Sequence, residues 1–150
     1  MASTENLPVT SPASGALTFP CSKRTILVAE DSADAGEMLQ VLLELKGYAV
    51  VLAADGHRAV EVAVQEVPDL ILIDLQLPGL NGLSVTKELR RRPELRAVPI
   101  ILISGHDPAK YRTEALSAGC DDYLLKPIDF DRLDQILHER IPAAVRARSA

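Results

Sequence analysis

The feature that most constrains the fold is a regular alternation of short apolar runs with stretches of helical periodicity. A strand that is followed by a helix and then by another strand favours parallel pairing, with helices covering both faces of one sheet. The predicted strands are Thr25–Glu30, Ala49–Ala54, Leu70–Asp74, Pro99–Ser104 and Asp122–Lys126. This pattern predicts an α/β protein with a doubly wound, five-stranded parallel sheet.

The helical stretches are marked by capping residues and by their apolar spacing. Ser32 and Asp55 stand where helix N-caps are expected, and Gly47 stands where the first helix ends. The predicted helices are Ala33–Lys46, a second one capped by Asp55 and ending near Pro68, then Leu83–Arg92, Tyr111–Ala118 and Phe130–Ile141.

The order of the strands follows from how apolar each run is. The runs ILVA, LILI and IILI have no polar alternation, which is typical of central strands buried on both faces. The runs AVVLAA and DYLLK are weaker and suit the two edges. Since crossovers are right-handed, the order 2-1-3-4-5 places the most apolar strands in the middle.

Length and composition indicate one domain. The chain has 150 residues, of which 47% are hydrophobic and 25% are charged, as in ordinary globular domains. Residues 1–22 are rich in Ser, Thr, Pro and Ala and are predicted to be a flexible N-terminal tail. Residues 23–141 form the predicted domain, and residues 142–150 are a predicted flexible C-terminal tail.

Several function classes are disfavoured by the same composition. The formal charge of −5 argues against a nucleic-acid surface. No apolar stretch reaches the roughly 18 residues that a membrane span needs, and the first residues do not resemble a secretory signal. Cys21 and Cys120 form no metal-binding or disulfide motif and are expected to be reduced thiols. We therefore expect a cytoplasmic protein without a membrane or nucleic-acid partner.

Polar side chains stand at the carboxyl ends of four predicted strands. Glu30 ends the first strand and Asp31 comes next, Asp74 ends the third, Ser104 ends the fourth and Lys126 ends the fifth. In open parallel sheets, ligands bind beyond the carboxyl ends of the strands, at the point where the strand order reverses. We expect these side chains to converge at one rim of the sheet.

The chemistry of this set favours a phosphoryl site with a metal ion. Three carboxylates close together repel one another unless a cation is present. An oxygen-only site with open positions suits Mg²⁺, which often works beside a phosphate. A lysine and a hydroxyl are suitable donors to phosphoryl oxygens.

The stretches VAEDS, LILIDLQLPGLNG, ILISGH and DDYLLKP resemble a response regulator receiver domain of two-component signalling, similar to chemotaxis regulators. The resemblance covers residues 23–141 and implies a flavodoxin-like three-layer sandwich. It implies that Asp74 accepts a phosphoryl group. Mg²⁺ would be bound directly by Asp31, Asp74 and the backbone carbonyl of Gln76, and by Glu30 mostly through a metal-bound water.

Further roles are implied by the same resemblance. Ser104 and Lys126 would contact phosphoryl oxygens, and Ser104 and Tyr123 would report activation as switch residues. The Lys126–Pro127 bond would be cis. Two further residues, Gln76 and His106, lie two positions beyond Asp74 and Ser104 and are hypothesised to tune the lifetime of the phosphoryl group.

The resemblance also implies partners. A sensor histidine kinase or a histidine phosphotransfer protein would supply the phosphoryl group, and a separate downstream protein would receive the signal. The face from the fourth to the fifth helix is a candidate surface for a homodimer. The protein is expected to be an autocatalytic phosphoacceptor with weak autophosphatase activity rather than a conventional enzyme.

Alternative interpretations remain open from the sequence. The chain could be a phosphorelay shuttle or an interaction module that works without phosphorylation. A flavin-binding domain lacks support because AEDSAD after the first strand would repel a phosphate. A phosphohydrolase with an Asp nucleophile should carry a second Asp at the position of Gln76.

The first helix and the Asp121–Asp122 pair each lead to a prediction about the surface. The first helix has apolar residues over roughly 200° of its circumference, whereas covering a sheet needs only about 100°. The excess is either a docking edge for a kinase or phosphotransfer helix, or it is fully buried under loops. The pair Asp121–Asp122 is predicted to be a solvated turn.

Overall fold

Five strands, all parallel, form one sheet in the part of the chain that the structure describes. The structure is a computed structural model that describes residues 23–105 and 108–141. The strands are β1 (Thr25–Ala29), β2 (Ala49–Ala53), β3 (Leu70–Asp74), β4 (Ile100–Ser104) and β5 (Asp122–Leu125). Their order is β2-β1-β3-β4-β5, so the predicted order 2-1-3-4-5 is confirmed. Both predicted tails lie outside the described residues.

Five helices connect and follow the strands within the described ranges. They are α1 (Ala33–Leu45), α2 (Gly56–Glu66), α3 (Gly82–Arg90), α4 (Pro108–Ala118) and α5 (Phe130–Arg140). The predicted caps are confirmed, because the side chain of Ser32 accepts a hydrogen bond from Ala35 N and that of Asp55 accepts one from Arg58 N. α4 begins three residues before the predicted Tyr111. α3 ends before Arg92, and a short 3₁₀ turn at Pro93–Leu95 follows it.

The sheet is covered by helices on both faces, which makes three layers. On one face, α2, α3 and α4 pack against strand residues such as Leu27, Ile71 and Leu102. On the other face, α1 and α5 pack against the alternate residues, such as Val28 and Leu72. All of these strand side chains are at most 1% exposed. The absence of polar alternation in the central strands therefore has a direct cause: neither face meets water.

Arginines pair with the two aspartates that precede and begin β5. Asp121 Oδ2 accepts hydrogen bonds from Arg90 Nη2 at 2.8 Å and from Ile100 N at 2.9 Å. Asp122 is held by Arg132 of α5 at 3.1 Å. The prediction of a solvated turn for this pair is wrong, because partners from distant elements neutralise both carboxylates.

Within residues 23–105 and 108–141, no helix is both long and apolar enough to cross a membrane.

Candidate metal and phosphoryl site

The parallel sheet brings the carboxyl ends of its strands to one rim. Asp74 is the last residue of β3 and lies opposite Ile103 of β4, one residue before Ser104. Ser104 is opposite Leu125 of β5, and Lys126 N donates to Ser104 O at 2.7 Å. The backbone register therefore places Asp74, Ser104 and Lys126 at the carboxyl ends of three neighbouring strands.

Three carboxylates meet at this rim. Glu30, Asp31 and Asp74 each offer a carboxylate oxygen, and these oxygens lie within 4.8 Å of one another. Glu30 is 8% exposed and Asp74 is 5% exposed, whereas Asp31 is exposed to solvent. Near a protein surface, two carboxylates at about this spacing repel each other by about 4 kcal/mol. The cluster therefore favours a bound cation. The oxygen-only donor set and its open side fit Mg²⁺.

Lys126 crosses the rim to the same carboxylates. Its Nζ donates to Asp74 Oδ2 at 2.8 Å and to Glu30 Oε1 at 3.4 Å. Within the described residues, these two contacts are the ion pairs that reach the acidic cluster. One positive charge thus offsets part of the charge of three carboxylates.

Burial and neighbouring charge shift the ionisation of the site. Burial of Glu30, together with the nearby charge of Asp74, raises the pKa of Glu30, although the backbone N–H of Ser32 opposes this change. Burial acts to lower the pKa of Lys126, but its hydrogen bond to Asp74 and the charges of Asp74 and Glu30 outweigh burial and raise that pKa. The ammonium of Lys126 therefore stays charged, and Glu30 keeps its proton to a higher pH than an ordinary glutamate does.

The orientation of Asp74 is defined by hydrogen bonds to both of its oxygens. Gln76 N donates to Oδ1 at 2.9 Å, while Lys126 Nζ donates to Oδ2. The side chain of Gln76 itself is exposed. The backbone N–H of Gln76 therefore contacts Asp74 directly, and the carbonyl of the same residue stays a predicted metal ligand.

The other predicted site residues occupy different surroundings. Ser104 is 1% exposed, and Tyr123 is 8% exposed within the core beside α4. The Lys126–Pro127 peptide bond is cis. His106 lies outside the described residues.

An open groove adjoins the acidic cluster. It has a volume of about 260 Å³, and its walls come from Glu30, α1 and the segment from Lys126 to Phe130. Phe130 is 40% exposed. Its place in the sequence marks only the start of the last predicted helix and does not show that its side chain borders a groove. Met38 of α1 lines the other side of the groove.

The apolar excess of α1 is exposed. Met38, Val41 and Leu45 are 51%, 57% and 81% exposed, respectively, and their spacing places them along one side of the helix. We call these three residues the α1 stripe. The alternative of full burial under loops is wrong, because only Leu39 and Leu43 of the apolar residues face the sheet as buried side chains.

Comparisons with known proteins agree with the fold. A model of the response regulator receiver domain matches residues 26–138. The transcriptional regulatory protein ZraR of Salmonella typhimurium is 37% identical over 119 residues, which are 79% of this chain and 26% of ZraR. YrkP of Bacillus subtilis, an uncharacterised transcriptional regulatory protein, is 36% identical over 81% of this chain and 49% of its own length. The chain thus spans about a quarter to a half of the curated relatives that it matches.

A solved structure carries the predicted ion. The receiver domain of the sensor histidine kinase PA1611 from Pseudomonas aeruginosa, with a magnesium ion coordinated in its active-site cleft, is 38% identical with a TM-score of 0.74. The alignment covers 80% of this chain and 98% of that one. The family match and these likenesses lead to one conclusion: this chain belongs to the response regulator receiver domain family.

Proposed function

We propose that the protein is a Mg²⁺-dependent phosphoacceptor that takes a phosphoryl group onto Asp74 and thereby changes a partner-binding face. The observation that carries this proposal is the position of Asp74. It is buried between an acidic pair, which favours a divalent cation, and Lys126, whose Nζ is 2.8 Å from Oδ2. An Asp buried for structural reasons alone would not need both a neighbouring acidic pair and a lysine.

In the proposed reaction, a carboxylate oxygen of Asp74 attacks the phosphorus of a phosphohistidine on a histidine kinase or phosphotransfer protein. A new O–P bond forms, the P–N bond breaks, and the histidine nitrogen leaves with the electron pair. Glu30, Asp31, Asp74 and the Gln76 carbonyl would hold Mg²⁺, which supplies positive charge to the phosphoryl oxygens. Lys126 neutralises a further oxygen.

Phosphorylation would act on Ser104 and Tyr123 as a partial switch. The product is roughly one unit more negative than Asp74. A hydrogen bond from Ser104 contributes about 0.5–1.5 kcal/mol, while Lys126 already contacts Asp74 before phosphorylation. A nearly complete population shift needs about 5.5 kcal/mol. The free energy gained on phosphorylation is smaller than this. We therefore infer that phosphorylation shifts the population only in part and that some active form exists in the unmodified protein.

The α1 stripe supports a docking place for the phosphodonor. Its apolar side chains are exposed, and Met38 also lines the groove that Glu30 and Lys126 reach. A helix of the donor that packed on the stripe would present its histidine toward Asp74. The same surface would serve either a kinase or a phosphorelay, so a shuttle role is the second candidate function.

The remaining parts of the proposal concern hydrolysis of the acyl phosphate and the location of the protein in the cell. We propose weak autophosphatase activity, with Gln76 and His106 tuning the lifetime of the acyl phosphate, and a cytoplasmic signalling role with a separate protein target. The exposed side chain of Gln76, two residues beyond Asp74, supports a position beside the path of water. A lower hydrolysis rate in Gln76→Ala than in the wild type would fit this role, whereas an equal rate would contradict it.

The central experiment is treatment with acetyl phosphate, with and without Mg²⁺, followed by intact-mass measurement. The wild type should gain one phosphoryl group only when Mg²⁺ is present, and Asp74→Asn should gain none. Modification of Asp74→Asn, or none of the wild type under any condition, would contradict the proposal.

A further inference from the structure

The candidate metal ligand Gln76 lies on a loop that is anchored at two places. This β3–α3 loop comprises residues 75–81. Near β3, Leu75 N donates to Ile103 O at 2.8 Å, and Gly82 N donates to Leu75 O at 2.8 Å. These bonds hold the two ends of the loop together beside Asp74.

The second anchor is the first turn of α2. Gly56 N donates to Pro78 O at 3.1 Å. A Cβ on Gly56 would overlap the carbonyl oxygen of Leu80 and lie 2.6 Å from Leu80 Cβ. Any side chain at position 56 must therefore push the loop away from α2.

His57 adds a side-chain contact to this anchor. A Cβ built on Gly79 would lie 3.0 Å from His57 Cδ2, so the imidazole rests against the backbone of the loop. His57 is itself exposed to solvent. It can therefore be shortened without opening the core.

From these contacts we propose that the first turn of α2, through Gly56 and His57, positions the metal site, although the candidate ligands lie on other elements. Gln76 stands between the two anchors, and its N–H also orients Asp74 Oδ1. Moving the second anchor displaces the Gln76 carbonyl and this hydrogen bond together. Loss of a group that orients a metal ligand typically weakens metal binding by 10- to 100-fold.

A matched glycine is available as a control. Gly36 lies in the first part of α1, as Gly56 does in α2. A Cβ on Gly36 would meet nothing closer than Leu52 Cδ2 at 3.9 Å, which is ordinary contact. Gly36→Ala therefore tests the effect of replacing a helical glycine without displacing a loop.

The inference rests on the proposed function and is tested by calorimetric titration of the full chain with Mg²⁺ alone. Gly56→Ala should bind Mg²⁺ about tenfold more weakly than the wild type, and His57→Ala roughly threefold more weakly. Gly36→Ala should bind as the wild type does. Urea denaturation followed by far-UV circular dichroism separates this effect from a change in stability, since a purely structural glycine would lower stability and leave the affinity unchanged.

The outcomes separate the two proposals. A wild type that binds no Mg²⁺ would contradict the proposed function. Wild-type affinity in folded Gly56→Ala or in His57→Ala would overturn the positioning role alone. If Gly56→Ala does not fold, the exposed His57→Ala variant decides the matter by itself.

Discussion

The guanidinium of Arg90 donates a 2.8 Å hydrogen bond to Asp121 Oδ2, which ties the end of α3 to the turn before β5. The same side chain donates to the backbone carbonyls of Leu95 at 2.9 Å, Val98 at 2.8 Å and Gly119 at 2.8 Å. These carbonyls belong to the 3₁₀ turn, the approach to β4 and the end of α4. One side chain thus satisfies polar groups of two connections, α3 to β4 and α4 to β5, that would otherwise need water.

Arg90→Ala should lower the free energy of unfolding by about 2–4 kcal/mol, because several partly buried acceptors lose a charged donor at once. The measurement is urea denaturation followed by far-UV circular dichroism. The control is the neighbouring variant Arg91→Ala, since the side chain of Arg91 is 76% exposed and pairs with Glu88 on the surface. Its effect should stay within about 0.5 kcal/mol. Equal effects of the two variants would contradict the role of Arg90.

Removal of Lys126 should strengthen metal binding while it weakens phosphorylation. Lys126→Met deletes a positive charge that lies 2.8 Å from Asp74 and therefore competes with a divalent cation. We expect the affinity for Mg²⁺ to rise by roughly fivefold, which corresponds to about 1 kcal/mol. Phosphorylation by acetyl phosphate should fall by at least about tenfold, since a charged donor to the phosphoryl oxygens is lost.

Calorimetric titration and intact-mass kinetics measure these two effects of Lys126→Met. The exposed Lys87 of α3 provides the control, because Lys87→Met changes the net charge by the same amount away from the acidic cluster. If Lys87→Met changes Mg²⁺ affinity as much as Lys126→Met does, long-range charge rather than the contact with Asp74 explains the result.

A charge placed in the α1 stripe should slow phosphotransfer from a protein donor without affecting a small donor. The measurement uses a purified histidine kinase that phosphorylates the wild type. Val41→Asp should lower the rate of phosphotransfer from this kinase by about tenfold, because an apolar contact is replaced by a charge that must be desolvated. The rate with acetyl phosphate should not change. Val67→Asp, at another exposed apolar position at the end of α2, should leave both rates unchanged. A loss of both rates in Val41→Asp would point to a damaged site rather than to docking.

Cys120 should be a poorly reactive thiol in the folded protein. Burial, together with the charges of Asp121 and Asp122, raises the pKa of Cys120 to about 11 from an ordinary value of 9.0. The thiolate is the reactive form, so modification by a disulfide reagent at pH 8 should be about a hundredfold slower than in urea-unfolded protein. The Cys21→Ser background isolates this thiol, and comparable rates in the two states would contradict the assignment.

The same shift has a consequence for stability. The folded state holds the Cys120 proton more tightly than the unfolded state does, so the contribution to the free energy of unfolding is complete below pH 9 and is lost as the pH rises toward 11. The decline between these values should disappear in Cys120→Ala. A decline of the same size in both proteins would assign it to other groups.

Much of the fold and part of the site could be predicted from the sequence. The strands and their order followed from apolar runs such as Leu70–Asp74, because a strand covered on both faces cannot carry polar alternation. Asp74 and Lys126 could be assigned to one rim because parallel strands end on the same side. The start of α4 was predicted less well, since the helix begins at Pro108 and not near the predicted Tyr111.

The sequence by itself determined which segments become strands and helices and which polar residues end the strands, since these features depend on neighbours within a few positions. Only the tertiary structure decided that Lys126 reaches Asp74, that Arg90 neutralises Asp121, that the α1 stripe faces solvent and that Gly56 supports the loop of Gln76. At least 20 positions in the chain separate Lys126 from Asp74, Arg90 from Asp121 and Gly56 from Gln76. These distances, and the exposure of the α1 stripe, depend on strand register and helix packing rather than on local periodicity.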